Sequence, residues 1–234
     1  MLPIAILAGG LATRLGDVTK TIPKALLPIA GKPFIVHQLE LLRAAGITEI
    51  VMCVAHLADQ IEGAIGDGHD YGVHVQYSHD QLLGTAGALR NALPLLGDEF
   101  LVMYGDSYLL CDYAGIARAW QASGKLGLMT VFENHGQYDA SNVEFRGGQV
   151  LRYEKGVPGM THIDWGLGAF RAAAFAGYPD GKLDLQRVYQ DLLAKDQLFG
   201  YEVSERFYEI GSHSGIDEFR AFAATSGPIK TSRA

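Results

Sequence analysis

The stretch Ile4-Ala5-Ile6-Leu7-Ala8-Gly9-Gly10-Leu11-Ala12-Thr13-Arg14-Leu15, continued by Pro23-Lys24-Ala25-Leu26-Leu27-Pro28, decides the fold. Four apolar residues are too few for a helix, and the glycine pair that follows ends them, so 4–7 reads as a short buried strand. Two successive glycines let the backbone approach a ligand closely and turn its N–H groups toward it. In open α/β sheets ligands gather at the carboxyl ends of strands, which is where this loop falls. Arg14 and Lys24 bring positive charge to the same place, the first as a bidentate fork and the second as a point charge. No Gly-Lys-Ser/Thr follows the glycines, so the loop is not a P-loop, and it does not match G-x-G-x-x-G.

Outward from this loop, short apolar runs alternate with helical periodicity. Residues 34–45 place Ile35, Leu39 and Leu42 on one face and stop at Gly46. Strands are expected at 49–54, 73–77, 100–104 and 126–132, and helices at 56–65, 85–96 (with Pro94 near its end) and 113–122. This β-α alternation predicts an α/β, Rossmann-like three-layer sandwich with a mainly parallel mixed sheet. After Glu133 the rhythm changes. Residues 142–145 and 150–154 flank Arg146-Gly147-Gly148-Gln149 as a hairpin, giving a small antiparallel portion. A further extended segment is expected at 162–170, a helix capped by Asp184 to about 195, a strand over 201–210 and a last helix over 213–223. No linker or repeat divides the chain, so 1–225 reads as a single domain and 226–234 as a polar, flexible tail.

Composition supports a globular protein: of 234 residues 48% are hydrophobic and 19% charged, too apolar for disorder. A net charge of −7 argues against a nucleic-acid surface but leaves room for a few cations in a cleft. Cys53 and Cys111 lie in apolar runs and read as buried thiols in a reducing compartment. With no secretory pattern at the N-terminus and no run of about 20 apolar residues, a cytoplasmic protein without membrane partners is expected.

The string Leu7–Leu15, with the later Pro-Lys-Ala-Leu-Leu-Pro-Ile-Ala-Gly-Lys-Pro, resembles the signature of the sugar-1-phosphate nucleotidyltransferases. The resemblance runs to about Glu218 through several separated motifs in the family's order. It implies a nucleoside triphosphate and a sugar 1-phosphate as substrates and Mg²⁺ as cofactor. It further implies that Gly9, Gly10 and Arg14 hold the triphosphate within a loop including Leu7, Ala8 and Thr13, and that Lys24 contacts the reacting phosphates.

Other segments match in turn. Gln81-Leu82-Leu83-Gly84-Thr85-Ala86-Gly87 resembles the second nucleotide loop: Gly84 and Thr85 open a helix whose N-terminus favours acceptor groups, and Gln81 can read a base edge. Tyr104-Gly105-Asp106-Ser107 places a carboxylate at a strand end, suited to the hard-oxygen preference of Mg²⁺, and the family puts its metal-binding Asp there. Tyr153-Glu154-Lys155 resembles the family's Glu-Lys pair, with Glu154 on sugar hydroxyls and Lys155 on the sugar phosphate. Asp164-Trp165-Gly166 occupies the place of an Asn-x-Gly segment that lines the sugar pocket with Gly105; Trp165 stacks on the sugar or fills core. Tyr208-Glu209-Ile210-Gly211 matches a late segment whose Asp completes the metal site, with Glu209 standing for that Asp.

Compact size and Gly-Thr-Ala-Gly-Ala-Leu look most like the heptose- or mannose-1-phosphate guanylyltransferases and the small uridylyltransferases of cell-wall recycling, with the lean toward the first. Uridylyl or cytidylyl transfer to another sugar phosphate or a phospho-alcohol, and a non-catalytic nucleotide-binding paralogue, remain open, as does a homodimer.

Overall fold

The computed structural model describes residues 1–10, 15–16 and 21–225. Strand β1 (Ile4–Leu7) is its axis, paired in parallel with β4 (Glu49–Val54) on one side and β6 (Glu99–Tyr104) on the other. Beyond β4 lies β5 (His74–His79), also parallel. On the other side the ten-residue β11 (His162–Arg171) runs antiparallel to β6 and to β8 (Gly127–Glu133), and β12 (Leu198–Val203) pairs in parallel with β8. The hairpin of β9 (Val143–Arg146) and β10 (Gln149–Tyr153) joins at the start of β11. Two short ladders lie off the main sheet: β2 (Pro28–Ile29) with β3 (Lys32–Pro33), and β7 (Ser107–Tyr108) with β13 (Tyr208–Glu209).

Strand period two sends alternate side chains to opposite faces, which is why β1 feeds two cores. Ile4 and Ile6 pack with α1 (Phe34–Ala44), α2 (Ala58–Ile65) and α4 (Tyr113–Ser123) through Leu39, Ile61 and Trp120. Ala5 faces α3 (Thr85–Leu96) and α5 (Leu185–Ala194), through Leu89, Val188 and Tyr189. A third cluster seats α6 (His213–Thr225) through Phe219, which meets Phe34 edge-on at 5.1 Å and Tyr108 at 4.9 Å. The three-layer, mainly parallel architecture is therefore the expected one, with the β9–β10 hairpin and β11 as its antiparallel part.

Three local expectations need correction. The single strand expected over 201–210 is broken: β12 ends at Val203, and the polar Ser204-Glu205-Arg206 separates it from β13. Arg206 fixes the break, its guanidinium 4.0 Å from the Tyr138 ring centroid and 4.3 Å from that of Tyr208. Helix α2 starts at Ala58 rather than 56, because Leu57 before it is left-handed (φ 58°). Asp184 holds the N-cap position of α5 but its carboxylate makes no capping bond; the Leu185 N–H donates instead to Thr85 Oγ1 at 2.8 Å.

Candidate active site

The carboxyl ends of β1, β4 and β6 open into a cavity of about 420 Å³ lined by Leu7, Ala8, Gly9, Gly10, Lys24 and Cys53, with Leu82, Gly84 and Thr85 opposite. Thr13 and Arg14 lie outside the described residues. Close packing of backbone forms the floor. The Gly105 N–H donates to the Leu7 carbonyl at 3.0 Å, and a Cβ on Gly105 would stand 2.6 Å from that oxygen. Only glycine lets β1 and β6 converge there.

The opposite wall is built by the turn into α3. Gly84 has φ +78°, and a Cβ there would meet the Leu183 carbonyl at 2.7 Å. That carbonyl accepts from the N–H groups of Ala86 and Gly87, both at 2.9 Å. The first turn of α3 is thus bonded to the segment before α5, which corrects the expectation that its N-terminus serves a ligand. Gln81 is exposed and does not line the cavity; its neighbour Leu82 does, from a left-handed backbone (φ 59°). Sequence reasoning also missed Lys182, a second cation in the wall, and Asp80, which accepts from the Leu83 N–H at 3.0 Å.

A second cavity of about 440 Å³ lies alongside, and the two share Tyr104 and Asp106. Its lining includes Ser107, Asn142, Tyr153, Lys155, Asp164, Trp165, Gly166 and Glu209. Lys24 Nζ donates to Asp106 Oδ2 at 2.5 Å, each side chain about one-fifth exposed (19% and 20%), so a cation and a carboxylate meet where the cavities join. Buttressing comes from behind: Gln38, wholly buried on α1, donates through Nε2 to the carbonyls of Tyr104 (3.2 Å) and Ser107 (2.7 Å). The Ile210 N–H donates to the Asp106 carbonyl at 2.9 Å, which ties β13 to the same turn.

Glu154 is not brought to this cavity. Beyond β10 side chains keep alternating, so Tyr153 and Lys155 share the cavity face while Arg152 and Glu154 share the other. There Arg152 captures the Glu154 carboxylate at 2.6 Å, beside a separate cavity of about 680 Å³ under α5. Trp165 is 1% exposed and its indole N–H donates to the Glu205 carbonyl at 2.7 Å, so it forms wall and core rather than an open stacking face. Glu209 faces its own turn, accepting from the Gly211 N–H and, at 2.5 Å, from the Ser212 hydroxyl.

The most perturbed carboxyl, Asp164, heads the segment expected to line the sugar pocket. Asp164 lies on β11 where the pairing with β8 shifts register. Its Oδ1 accepts from the Gly166 N–H (3.1 Å) and its Oδ2 from the Tyr153 hydroxyl (3.3 Å). Burial nevertheless pushes its pKa up to about 6, against the opposing pull of those donors, the Tyr104 hydroxyl and the charge on Lys155. A folded-state pKa above the unfolded one means the native state binds protons more tightly, so stability falls as pH rises from about 4 through 6. Asp164→Asn is therefore expected to raise the melting temperature at pH 8, corresponding to about 2–3 kcal/mol at most, with the gap closing toward pH 4. Thermal melts of both proteins at the two pH values check this; an equal or lower melting temperature for the variant at pH 8 would contradict it.

Chemically, the site offers charge rather than a nucleophile. The Cys53 thiol in the first cavity is pushed up to about 12 by burial and stays protonated. Among the described residues no three His, Cys, Asp or Glu side chains converge on a metal position. No helix among them is long and apolar enough to cross a membrane.

Comparison with known proteins agrees with this architecture. The family model described as nucleotidyl transferase matches residues 4–141, more than half of the chain. The chain is 34% identical over 228 residues to an N-acetylmuramate alpha-1-phosphate uridylyltransferase of Neisseria meningitidis, covering 93% of this chain and 96% of that one. It is 29% identical to the catalytic subunit beta of a mannose-1-phosphate guanylyltransferase from Xenopus tropicalis, spanning 88% of its own length but 60% of the relative's. In fold it is similar to the crystal structure of HddC from Yersinia pseudotuberculosis complexed with GMP-PN (TM-score 0.81, 24% identity, 95% of this chain and all of that one). A family model over most of the N-terminal fold and a relative matched almost end to end place the chain in the sugar-1-phosphate nucleotidyltransferase family.

Proposed function

We propose that the first cavity binds a nucleoside triphosphate, the second a sugar 1-phosphate, and that the reaction occurs at the wall they share. The observation that carries this is the Lys24–Asp106 pair at the junction of two cavities, each large enough for one substrate. An oxygen of the sugar phosphate is already anionic, so it attacks the α-phosphorus without a general base. The new P–O bond forms as the bond between the α-phosphorus and the bridging oxygen breaks, and pyrophosphate leaves. What opposes the reaction is repulsion between two anions. Lys24 neutralises and holds the reacting phosphates, Lys155 holds the sugar phosphate, and Lys182 adds charge beside the nucleotide.

Mg²⁺ fits this donor set. It binds one or two carboxylates and completes its shell with water and substrate phosphates, so a full protein cage is not needed. Asp106 is the main ligand proposed, with Glu209 the second, on the adjoining strand. When bound, the ion supplies further neutralisation of the phosphates.

For the substrates, the end-to-end match to an N-acetylmuramate alpha-1-phosphate uridylyltransferase supports UTP and an amino-sugar 1-phosphate, the second of the two readings that compact size allowed, over guanylyl transfer. The guanosine analogue in HddC keeps a guanylyl reading as the alternative. Pyrophosphate release with Mg²⁺, crossing UTP, GTP, CTP, ATP and dTTP with amino-sugar, hexose and heptose 1-phosphates, separates them. Highest kcat/KM for UTP with N-acetylmuramate 1-phosphate is expected; preference for GTP with a heptose or mannose 1-phosphate would overturn the assignment.

A further inference from the structure

Two segments far apart in the chain contribute to the wall of the second cavity: residues 139, 140 and 142 of the loop after β8, and residues 207 and 209 around β13. They meet at Arg206, outside the cavity. Its guanidinium lies between the rings of Tyr138 and Tyr208, 4.0 and 4.3 Å from their centroids. Tyr208 in turn stacks on Phe222 of α6, with centroids 4.3 Å apart and planes 27° apart. Four side chains (ring, guanidinium, ring, ring) thus run from the loop to the last helix. A guanidinium suits the inner place because it is planar and always charged, so each of its faces can lie on an aromatic ring. Its edge is used as well: Nε donates to the Phe207 carbonyl at 3.1 Å and Nη2 to the Glu218 carboxylate.

The loop takes its shape from Asn134, which is 1% exposed. Its Oδ1 accepts from the Tyr138 N–H at 3.1 Å, and its Nδ2 donates to the Asp139 carbonyl at 2.7 Å and to Ser141 Oγ at 3.1 Å. Those bonds are internal to the loop and do not set its distance from β13. The stack on Arg206 spans that gap, together with the edge-on contact of Tyr138 with Phe207 at 5.9 Å. We propose that Arg206 is a positioning residue for the sugar 1-phosphate. Without touching it, the guanidinium clamps the loop to β13, so the wall is formed before the substrate arrives. A wall that forms only part of the time lowers the apparent affinity by the fraction of molecules in which it is formed. The nucleotide cavity has Tyr104 and Asp106 in common with the second cavity but is not lined by this loop, so the effect is confined to the sugar phosphate.

The inference rests on the second cavity being the sugar site, and the test keeps the two apart. Hydrogen exchange in the ligand-free protein reads the clamp without any substrate. In Arg206→Met, which keeps an apolar stem and removes the guanidinium, the amides of residues 136–140 are expected to exchange at least about tenfold faster, with those of α5 unchanged. With the substrate pair that the panel identifies, KM for the sugar 1-phosphate is expected to rise about tenfold in this variant, while kcat and the nucleotide KM stay within about twofold. Arg206→Lys keeps a charge for Glu218 but has no plane to lie between two rings, so it is expected to retain most of the KM defect. Tyr138→Leu removes a ring from the other side of the clamp and is expected to match Arg206→Met, with the double variant no more than about twofold worse than either. An unchanged sugar KM in folded Arg206→Met, equal rises in both KM values, or full recovery in Arg206→Lys would overturn the role of Arg206 and leave the sugar site standing. Wild type inactive with every sugar phosphate would overturn the sugar site itself, and this role with it. Should Arg206→Met fail to fold, Tyr138→Leu carries the same test, and wild-type sugar KM there is enough to reject the inference.

Discussion

Lys24→Ala is expected to fold as the wild type does and to lose two to three orders of magnitude in kcat. The side chain is about one-fifth exposed and among the described residues its ammonium pairs with Asp106, so its removal costs the fold one partly solvated ion pair. Catalysis loses more, because a preorganised charge aimed at the reacting phosphates acts where water is excluded. Removing one such contact costs roughly 3–4 kcal/mol of barrier. Lys24→Arg is expected to recover only part of the rate: the guanidinium is a planar fork and cannot occupy the point position of an ammonium 2.5 Å from Asp106. Steady-state kinetics with a matched thermal melt checks both variants, and wild-type kcat in folded Lys24→Ala would remove Lys24 from the mechanism.

Asp106→Asn is expected to produce a loss of similar size by a different route. The amide keeps the shape of the carboxylate and the turn held by Gln38 and Ile210, but it removes the one negative charge in the wall common to both cavities. Lys24 is left without its counter-charge, and a hard cation loses its proposed anchor. The Mg²⁺ concentration giving half-maximal rate should rise by at least about tenfold, and kcat should fall by about 10²–10³. Because Lys24 and Asp106 act on the same phosphates, the double variant should be little worse than either single one. Additive losses, or an unchanged Mg²⁺ response, would separate the two residues and argue that their ion pair is structural.

How much of this was legible in the sequence follows from the kind of signal each feature leaves. Strands 4–7, 49–54 and 100–104 are apolar runs closed by glycine or polar residues, and periodicity reads them nearly to the residue. The glycines at 9, 10, 84 and 105 mark the loops that line the nucleotide cavity, and at 84 and 105 a Cβ would stand 2.7 and 2.6 Å from a backbone carbonyl. Asp106 and Lys155 lie at strand ends, where side chains project into the cavities. Other features depend on tertiary partners and leave no local trace. Glu154 is turned away because Arg152, two residues earlier, takes its carboxylate on the opposite face. The α3 N-terminus is occupied by the carbonyl of Leu183, about a hundred residues distant. The sequence places Asp164 at the head of the segment expected to line the sugar pocket, but its burial among Tyr104, Tyr153 and Tyr189 comes from tertiary packing and leaves no local trace. Trp165 was equally compatible with core and with sugar; the carbonyl of Glu205 settles where its N–H goes.

The central claim is that two substrates are joined across the wall containing Asp106, rather than one being hydrolysed there. The most direct measurement is product stoichiometry by ³¹P NMR and anion-exchange chromatography, with the nucleotide alone, the sugar phosphate alone and both together. The account predicts one pyrophosphate for each nucleotide-sugar formed, and neither product from the nucleotide alone. Pyrophosphate released without incorporation of the sugar phosphate would show water as the acceptor and contradict it.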